Sequence, residues 1–276
     1  MQVKCFYQLL TGVPAFIKIN LDTFTAMKYY LTAIVMFLIC ISCFAQPSFL
    51  ESQKNYPNVS MALKFKQDTL RKQFEAKGLQ WPPRQVYVRS FKYDSQLEIW
   101  VRNNSTEDYK LFKTYKVCAL AGTLGPKRME GDYQVPEGFY YINEFNPRSD
   151  YHLSLKLNYP NESDKLLSDS LRPGGGIYIH GSCVTIGCIP IMDAQIEELY
   201  LLTASAKSNG QDFIPVHIFP VRYSNQQSME YLTRITKDNP SVQKFAVKLK
   251  EAYDAFEKTK QLPLIAVNKK GEYLIM

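Results

Sequence analysis

The reactive residue types in this 276-residue chain converge on one stretch, IYIHGSCVTIGCIPI, from Ile177 to Ile191. An imidazole at His180 and a thiol at Cys188 stand eight positions apart there, with Gly181 and Gly187 between them. A thiol beside an imidazole is a stronger nucleophile than a hydroxyl, because a neighbouring imidazolium lowers the thiol pKa and stores a thiolate. Gly187, directly before Cys188, permits a tight turn and lets backbone N–H groups approach a reacting carbonyl oxygen. In outline this is a site for cysteine-dependent acyl transfer. Spacing alone leaves three other readings open. Cys188 could be a small buried hydrophobe, or Cys183 and Cys188 could close a short disulfide in an exported chain. Cys183, Cys188 and His180 could also bind zinc, although a structural site wants a fourth ligand.

Several elements must position these groups. Ile177, Tyr178 and Ile179, entered through Gly174, Gly175 and Gly176, read as a strand that delivers His180. After the site, Asp193 can cap a helix through about Lys207, with Ile196, Leu199 and Thr203 inward and Asn209-Gly210 as the stop. Val59, Leu63, Leu70 and Phe74 recur at helical spacing ahead of Gly78. Strands are expected over Gln85 to Phe91, Leu97 to Arg102, Leu111 to Ala119, Phe139 to Ile142, Tyr151 to Leu157 and Ile214 to Val221. Asn158 to Ser170 reads as polar loop. Asn239-Pro240 starts a helix whose inner face is Val242, Phe245, Leu249, Tyr253 and Phe256. Pro263 to Met276 reads as a short strand, a Lys269-Lys270-Gly271 turn and a last apolar run. Local patterns alone give an α+β protein.

Within those elements, His152 and His217 fall in strands, where a lone imidazole is commonly structural, and Cys118 reads as core. Gly122 to Gly138 is a long loop rich in Gly, Pro and charge. Lys127, Arg128, Glu130, Asp132 and Glu137 are its candidates for orienting a charged peptide.

The chain resembles the YkuD-type L,D-transpeptidases, and their YafK-like branch above all. Three stretches carry the likeness: IYIHGSCVTIGCIPI itself, LGPKRMEGDYQVPEGFYYI (Leu124 to Ile142) and NPRSDYHLSLKLNYPN (Asn146 to Asn161). Common family members read S/T-H-G-C, then a hydrophobic residue and Arg or Asn. Here Thr185, Ile186, Gly187, Cys188, Ile189 and Pro190 occupy that run, the shortened form of the branch. The resemblance implies the YkuD fold, a mostly β catalytic domain built as a mixed sheet sandwich, here with N- and C-terminal helices appended. It implies Cys188 as the nucleophile on the carbonyl at the L-centre of diaminopimelate in a tetrapeptide stem, with D-Ala leaving and a thioester forming.

By the same analogy His180 is the base, its other ring nitrogen fixed by a backbone carbonyl near Gly181. The N–H groups of Gly187 and Cys188, with Ile186 as a third, are the expected oxyanion hole. Ser182 or Thr185 would bond the imidazole or substrate, or else serve the turn. Lys127, Tyr178 and His152 are expected substrate contacts, while Gly131, Asp132, Pro136 and Gly138 fix loop shape. Cys183 is read as supporting, with a redox lock as a lesser reading. No metal and no organic cofactor is implied. The expected partners are peptidoglycan stem peptides and a wall-linked protein, not nucleic acid, with the chain a monomer. The thioester's fate is left open between a 3–3 cross-link, transfer to a protein lysine, and hydrolysis of a diaminopimelate amide. A non-catalytic peptidoglycan-binding module is the alternative from another class.

Composition sets the outer bounds. With 46% apolar residues the chain can build one large domain or two small ones. Met27, Lys28, the apolar run Leu31 to Ile41 and Cys43-Phe44-Ala45 read as an export signal cut before Gln46, with Met27 a candidate start. That run is short for a membrane anchor, and a lipid on Cys43 is a weaker reading because Cys40 stands where Leu is expected. The resulting division is 1–45 extension and signal, 46–83 helical lead, 84–222 catalytic domain and 223–276 C-terminal extension, in a periplasmic protein. Loss of Lys4, Lys18, Lys28 and Asp22 would lower the formal charge from +7 to +5, which suits an anionic wall polymer. The mature chain would keep Cys118, Cys183 and Cys188, an odd count that argues against a disulfide framework and leaves a free thiol.

Overall fold

The computed structural model describes residues 27–36 and 48–276, in two units that divide after Pro47. In the first unit, residues 27–36 are helical and exposed. The expected cleavage after Ala45, Cys43 and the first 26 residues lie outside the described residues. Among those described, no helix is long and apolar enough to cross a membrane.

The second unit is an α+β fold around one mixed eight-stranded sheet, ordered β3-β2-β1-β8-β4-β5-β6-β7. Its strands are β1 (Gln85–Phe91), β2 (Gln96–Arg102), β3 (Lys110–Lys116), β4 (Gly138–Asn146), β5 (Ser154–Leu157), β6 (Tyr178–His180), β7 (Ile189–Pro190) and β8 (Ile214–Phe219). β1 runs parallel to β8 and β6 parallel to β7, and the other neighbours are antiparallel. The sheet curls until its two margins meet: beyond β3 the Cys118 N–H reaches the Pro190 oxygen of β7 at 3.1 Å.

Both faces of the sheet are covered, and β1 shows how the sequence arranges this. Val86 and Val88 enter an aliphatic core, while Tyr87 and Phe91 on the alternate positions enter aromatic clusters on the other side. The aliphatic face receives α1 (Phe49–Gln53), α2 (Pro57–Ala76) and α4 (Asp193–Ser208). Val59, Leu70 and Phe74 of α2 are buried as the helical spacing requires, and so are Ile196, Leu199 and Thr203 of α4. The aromatic face receives α5 (Gln226–Ile235), α6 (Pro240–Thr259) and the hairpin of β9 (Ile265–Val267) and β10 (Tyr273–Ile275). Arg89 of β1, 1% exposed, ties that side together through its cross-strand partner Glu98 and through Glu257 of α6, 2.6 Å away.

Four local expectations change. Tyr151 to Leu157 is strand only from Ser154, because His152 adopts a left-handed φ of 71°. The polar run after Asn158 contains α3 (Glu162–Leu167), begun by a capping box between Asn161 and Asp164. Met192, not Asp193, takes the cap position of α4, and the Asp193 carboxylate accepts the Ser182 N–H at 2.8 Å. The strand expected to Ala119 ends at Lys116, which frees Cys118 for a bond elsewhere.

Candidate active site

β6 ends on His180, and β7 begins one residue after Cys188. In the parallel register Ile179 faces Ile189 and His180 faces Pro190. Strand alternation therefore puts Tyr178 and His180 on one face of the sheet with Pro190, while Cys188 lies in the bend that leads into β7. His180 is only 2% exposed, and its Nδ1 lies 2.5 Å from the Gly181 carbonyl oxygen. A carbonyl can only accept, so Nδ1 carries the proton and Nε2 is the basic nitrogen. The Tyr151 ring packs on the imidazole at 4.7 Å between centroids.

The loop from Gly181 to Gly187 is held at several points. A Cβ on Gly181 would lie 2.5 Å from Asp193 Oδ1 and 2.8 Å from the Tyr151 oxygen, so only glycine fits there. Thr185 Oγ1 donates to the Cys188 oxygen at 2.9 Å and accepts the Gly187 N–H at 3.0 Å. Gly187 has φ of 143°, and the Gln134 backbone oxygen lies 3.3 Å from where its Cβ would be. The glycine before Cys188 thus serves both a left-handed turn and a close approach by the Gly122–Gly138 loop. Cys183, in the middle of the 181–187 loop, is bonded to Cys118.

Cys188 is the free cysteine among the described residues, half-buried in a cleft of about 360 Å³. Lys127, Glu130 and Tyr133 form one side of that cleft, and Gly174, Gly175 and Gly176 another. The thiol donates to the Gly176 oxygen at 3.6 Å rather than to the imidazole. Burial pushes its pKa up, against the Tyr178 backbone N–H and the Lys127 ammonium, which pull it down. Burial also holds the His180 pKa below its usual value, against the Gly181 hydrogen bond. The expected stored thiolate–imidazolium pair is therefore not what these shifts favour: burial moves each group toward its neutral form, and neither is shifted by the other.

Other expectations are corrected alongside it. With its sulfur bonded to Cys118, Cys183 can neither pair with Cys188 nor ligate zinc with Cys188 and His180. Cys118 is accordingly a disulfide partner rather than a core thiol, and the odd count hid one bridge beside one free thiol. The Gly187 N–H is spoken for by Thr185, whereas those of Ile186 and Cys188 have no acceptor among the described residues. Ser182 and Thr185 brace the turn.

The L,D-transpeptidase catalytic-domain profile, YkuD, matches residues 92–218, from the end of β1 into β8. YafK of Escherichia coli (strain K12), which carries a provisional L,D-transpeptidase name, is 33% identical over 192 residues, covering 69% of this chain and 73% of that one. The chain belongs to the YkuD L,D-transpeptidase family. YafK of Escherichia coli O157:H7 matches to the same extent. Among solved structures, Pgp2 from Campylobacter jejuni, described as a helical cell shape determining protein, aligns at TM-score 0.39 with 18% identity, over 72% of this chain and 81% of that one. Bd1075 from Bdellovibrio bacteriovorus aligns at 0.36 with 19% identity, over 68% and 78%.

Within this YkuD domain the charged loop divides by position. Lys127 and Glu130 line the cleft, but the Lys127 ammonium is paired with Asp132 and donates to the Met129 oxygen at 2.8 Å. Asp132 also accepts the backbone N–H groups of Arg128, Met129 and Gln134, closing the loop on itself. Glu137 is fully buried against Lys92 at 3.0 Å, and Arg128 opens into a different groove beside Val242, so neither faces the thiol. Tyr178 lies outside the Cys188 cleft, near the Lys156 ammonium. His152 turns away to Glu197, 2.9 Å from it. Gln134 and Tyr151 are the site-shaping residues that sequence reading missed. A loop glutamine and an exposed tyrosine carry no spacing signal of their own.

Proposed function

We propose that this protein is an exported cell-wall enzyme that performs cysteine-dependent acyl transfer on diaminopimelate-containing stem peptides. The observation that carries the reading is a free thiol at the wall of an open cleft, one residue before the strand that pairs with the strand ending on His180, whose Nδ1–H is already committed to the Gly181 oxygen. In the proposed cycle His180 Nε2 takes the Cys188 proton, and the sulfur attacks the stem carbonyl. The oxyanion is met by the N–H groups of Ile186 and Cys188, donors of a kind whose loss typically costs ~10²–10³ in rate. The intermediate collapses, the C–N bond breaks, and the leaving amine recovers the proton from His180. A thioester remains on Cys188, and an incoming amine or water completes the cycle by the reverse proton path.

A second reading, cleavage or formation of a link to a protein, is favoured by the apolar rim: Ile186, 76% exposed, and Tyr133 both line the cleft. Such side chains suit a bulky partner better than a short polar peptide. Intact-mass labelling with a carbapenem tests the nucleophile. One adduct is expected on the wild type and none on Cys188→Ala; an adduct surviving in Cys188→Ala would overturn the assignment. Weighing the products from tetrapeptide muropeptides and from protein-linked muropeptides then separates the two outcomes.

A further inference from the structure

A second and larger groove, about 620 Å³, opens on the aromatic face of the sheet where α6 and the β9–β10 hairpin leave β4 and β8 uncovered. Its floor is set by register: Phe139 beside His217 and Tyr141 beside Pro215. Ile265 and Val267 of the hairpin form one wall, and Asn158 to Pro160 the other.

His217 is the polar centre of that floor. It is 5% exposed, and its Nδ1 lies 2.9 Å from the Tyr87 hydroxyl. That hydroxyl is fully buried, burial keeps it protonated, and Nδ1 is its only acceptor among the described residues. Tyr87 therefore donates to Nδ1, and the imidazole carries its own proton on Nε2. Nε2 has no protein partner among the described residues and is left to the groove that His217 lines. Burial, assisted by the charge of Arg89, brings the His217 pKa down to about 3, which leaves a neutral N–H donor.

The surroundings select the ligand. A neutral donor suits a neutral acceptor, and the rim charges Glu162 and Lys165 satisfy each other at 2.6 Å. The edge of β4 that a peptide strand would need is already taken. Tyr141 exchanges hydrogen bonds with Asn158, and the Asn161 amide donates to the Phe139 oxygen at 2.9 Å. What remains is an aromatic surface with an uncharged donor at its centre and the exposed Asn143 amide at its edge.

We propose that this groove binds an N-acetylated sugar of a glycan strand, with a ring face on Tyr141 and the acetamido oxygen accepting from His217 Nε2. The proposal rests on the cell-wall reading only for the source of the glycan, and it stands or falls apart from Cys188. The test uses the full disulfide-bonded chain with chitotriose, and a de-N-acetylated glucosamine trimer as control. Long-range ¹⁵N correlation should show the His217 Nε2 resonance shifting with chitotriose. Calorimetry should give about tenfold weaker binding for Tyr141→Ala and for the glucosamine trimer. An unchanged rate of Cys188 alkylation in Tyr141→Ala certifies that the variant is folded. No Nε2 shift at millimolar sugar, equal affinity for the two trimers, or indifference to Tyr141→Ala would each overturn the proposal.

Discussion

Burial acts on Cys188 and His180 in opposite directions, raising the thiol above its ordinary 9.0 and lowering the imidazole below its ordinary 6.5. At neutral pH the imidazole is free to accept a proton and the thiolate is scarce, so the proposed cycle would move the proton only with substrate in place. Iodoacetamide labelling of Cys188 should therefore rise about tenfold per pH unit from pH 6 to 8, without a plateau; a stored ion pair would give a flat profile there. Lys127→Met should slow that labelling severalfold, because it removes the cation whose field favours the thiolate. Asp132→Asn, which loosens the same brace but keeps the ammonium, should not slow it. His180 and Cys188 were singled out by residue type, Gly187 and the family resemblance together, since spacing alone left a core thiol, a disulfide and a zinc site open. Their neutral resting state was not legible, since that depends on how much of each group the folded chain desolvates.

Elements supply the precision. β6, β7 and the start of α4 converge on Gly181, where even a methyl group meets Asp193 Oδ1 and the Tyr151 oxygen. Gly181→Ala should still fold but acylate with a carbapenem about a hundredfold more slowly, since a displacement near 1 Å can cost that much. Unfolding and acylation measured on the same sample check this. Strands β1 and β2 and helices α2, α4 and α6 were readable from alternation, helical spacing and caps. α3 was not, because its six residues are too few to display a period and its capping box reads as loop polarity. His152 was placed in a strand because composition does not report a left-handed φ.

At the scale of the whole molecule, one sheet is covered on both sides, and its aromatic side depends on the C-terminal helices and hairpin. The apolar face of α6 was evident in the sequence; what it packs on was not, because Arg89, Glu98 and Glu257 meet only in the fold. Arg89→Ala opens a void in that layer and takes one partner each from Glu98, which keeps Arg222 at 2.7 Å, and from Glu257, which keeps Lys260. It should cost about 2–4 kcal/mol of stability, measured by denaturant unfolding. The Cys118–Cys183 bond was equally invisible, since its partners are 65 residues apart and the nearer cysteine looked like the natural mate.

That bond also shapes how the chain must mature. Cys183 is five residues from Cys188 and 65 from its bonded partner, so in an unfolded chain ideal-coil statistics favour the small ring with Cys188 roughly fiftyfold. To escape it, the Cys118 thiolate attacks the Cys183 sulfur and expels Cys188 as a thiolate, an exchange that needs no net oxidant. Oxidation in air should accordingly yield chains with Cys188 blocked, and a glutathione couple should rescue them, as peptide mapping of the two rings would register.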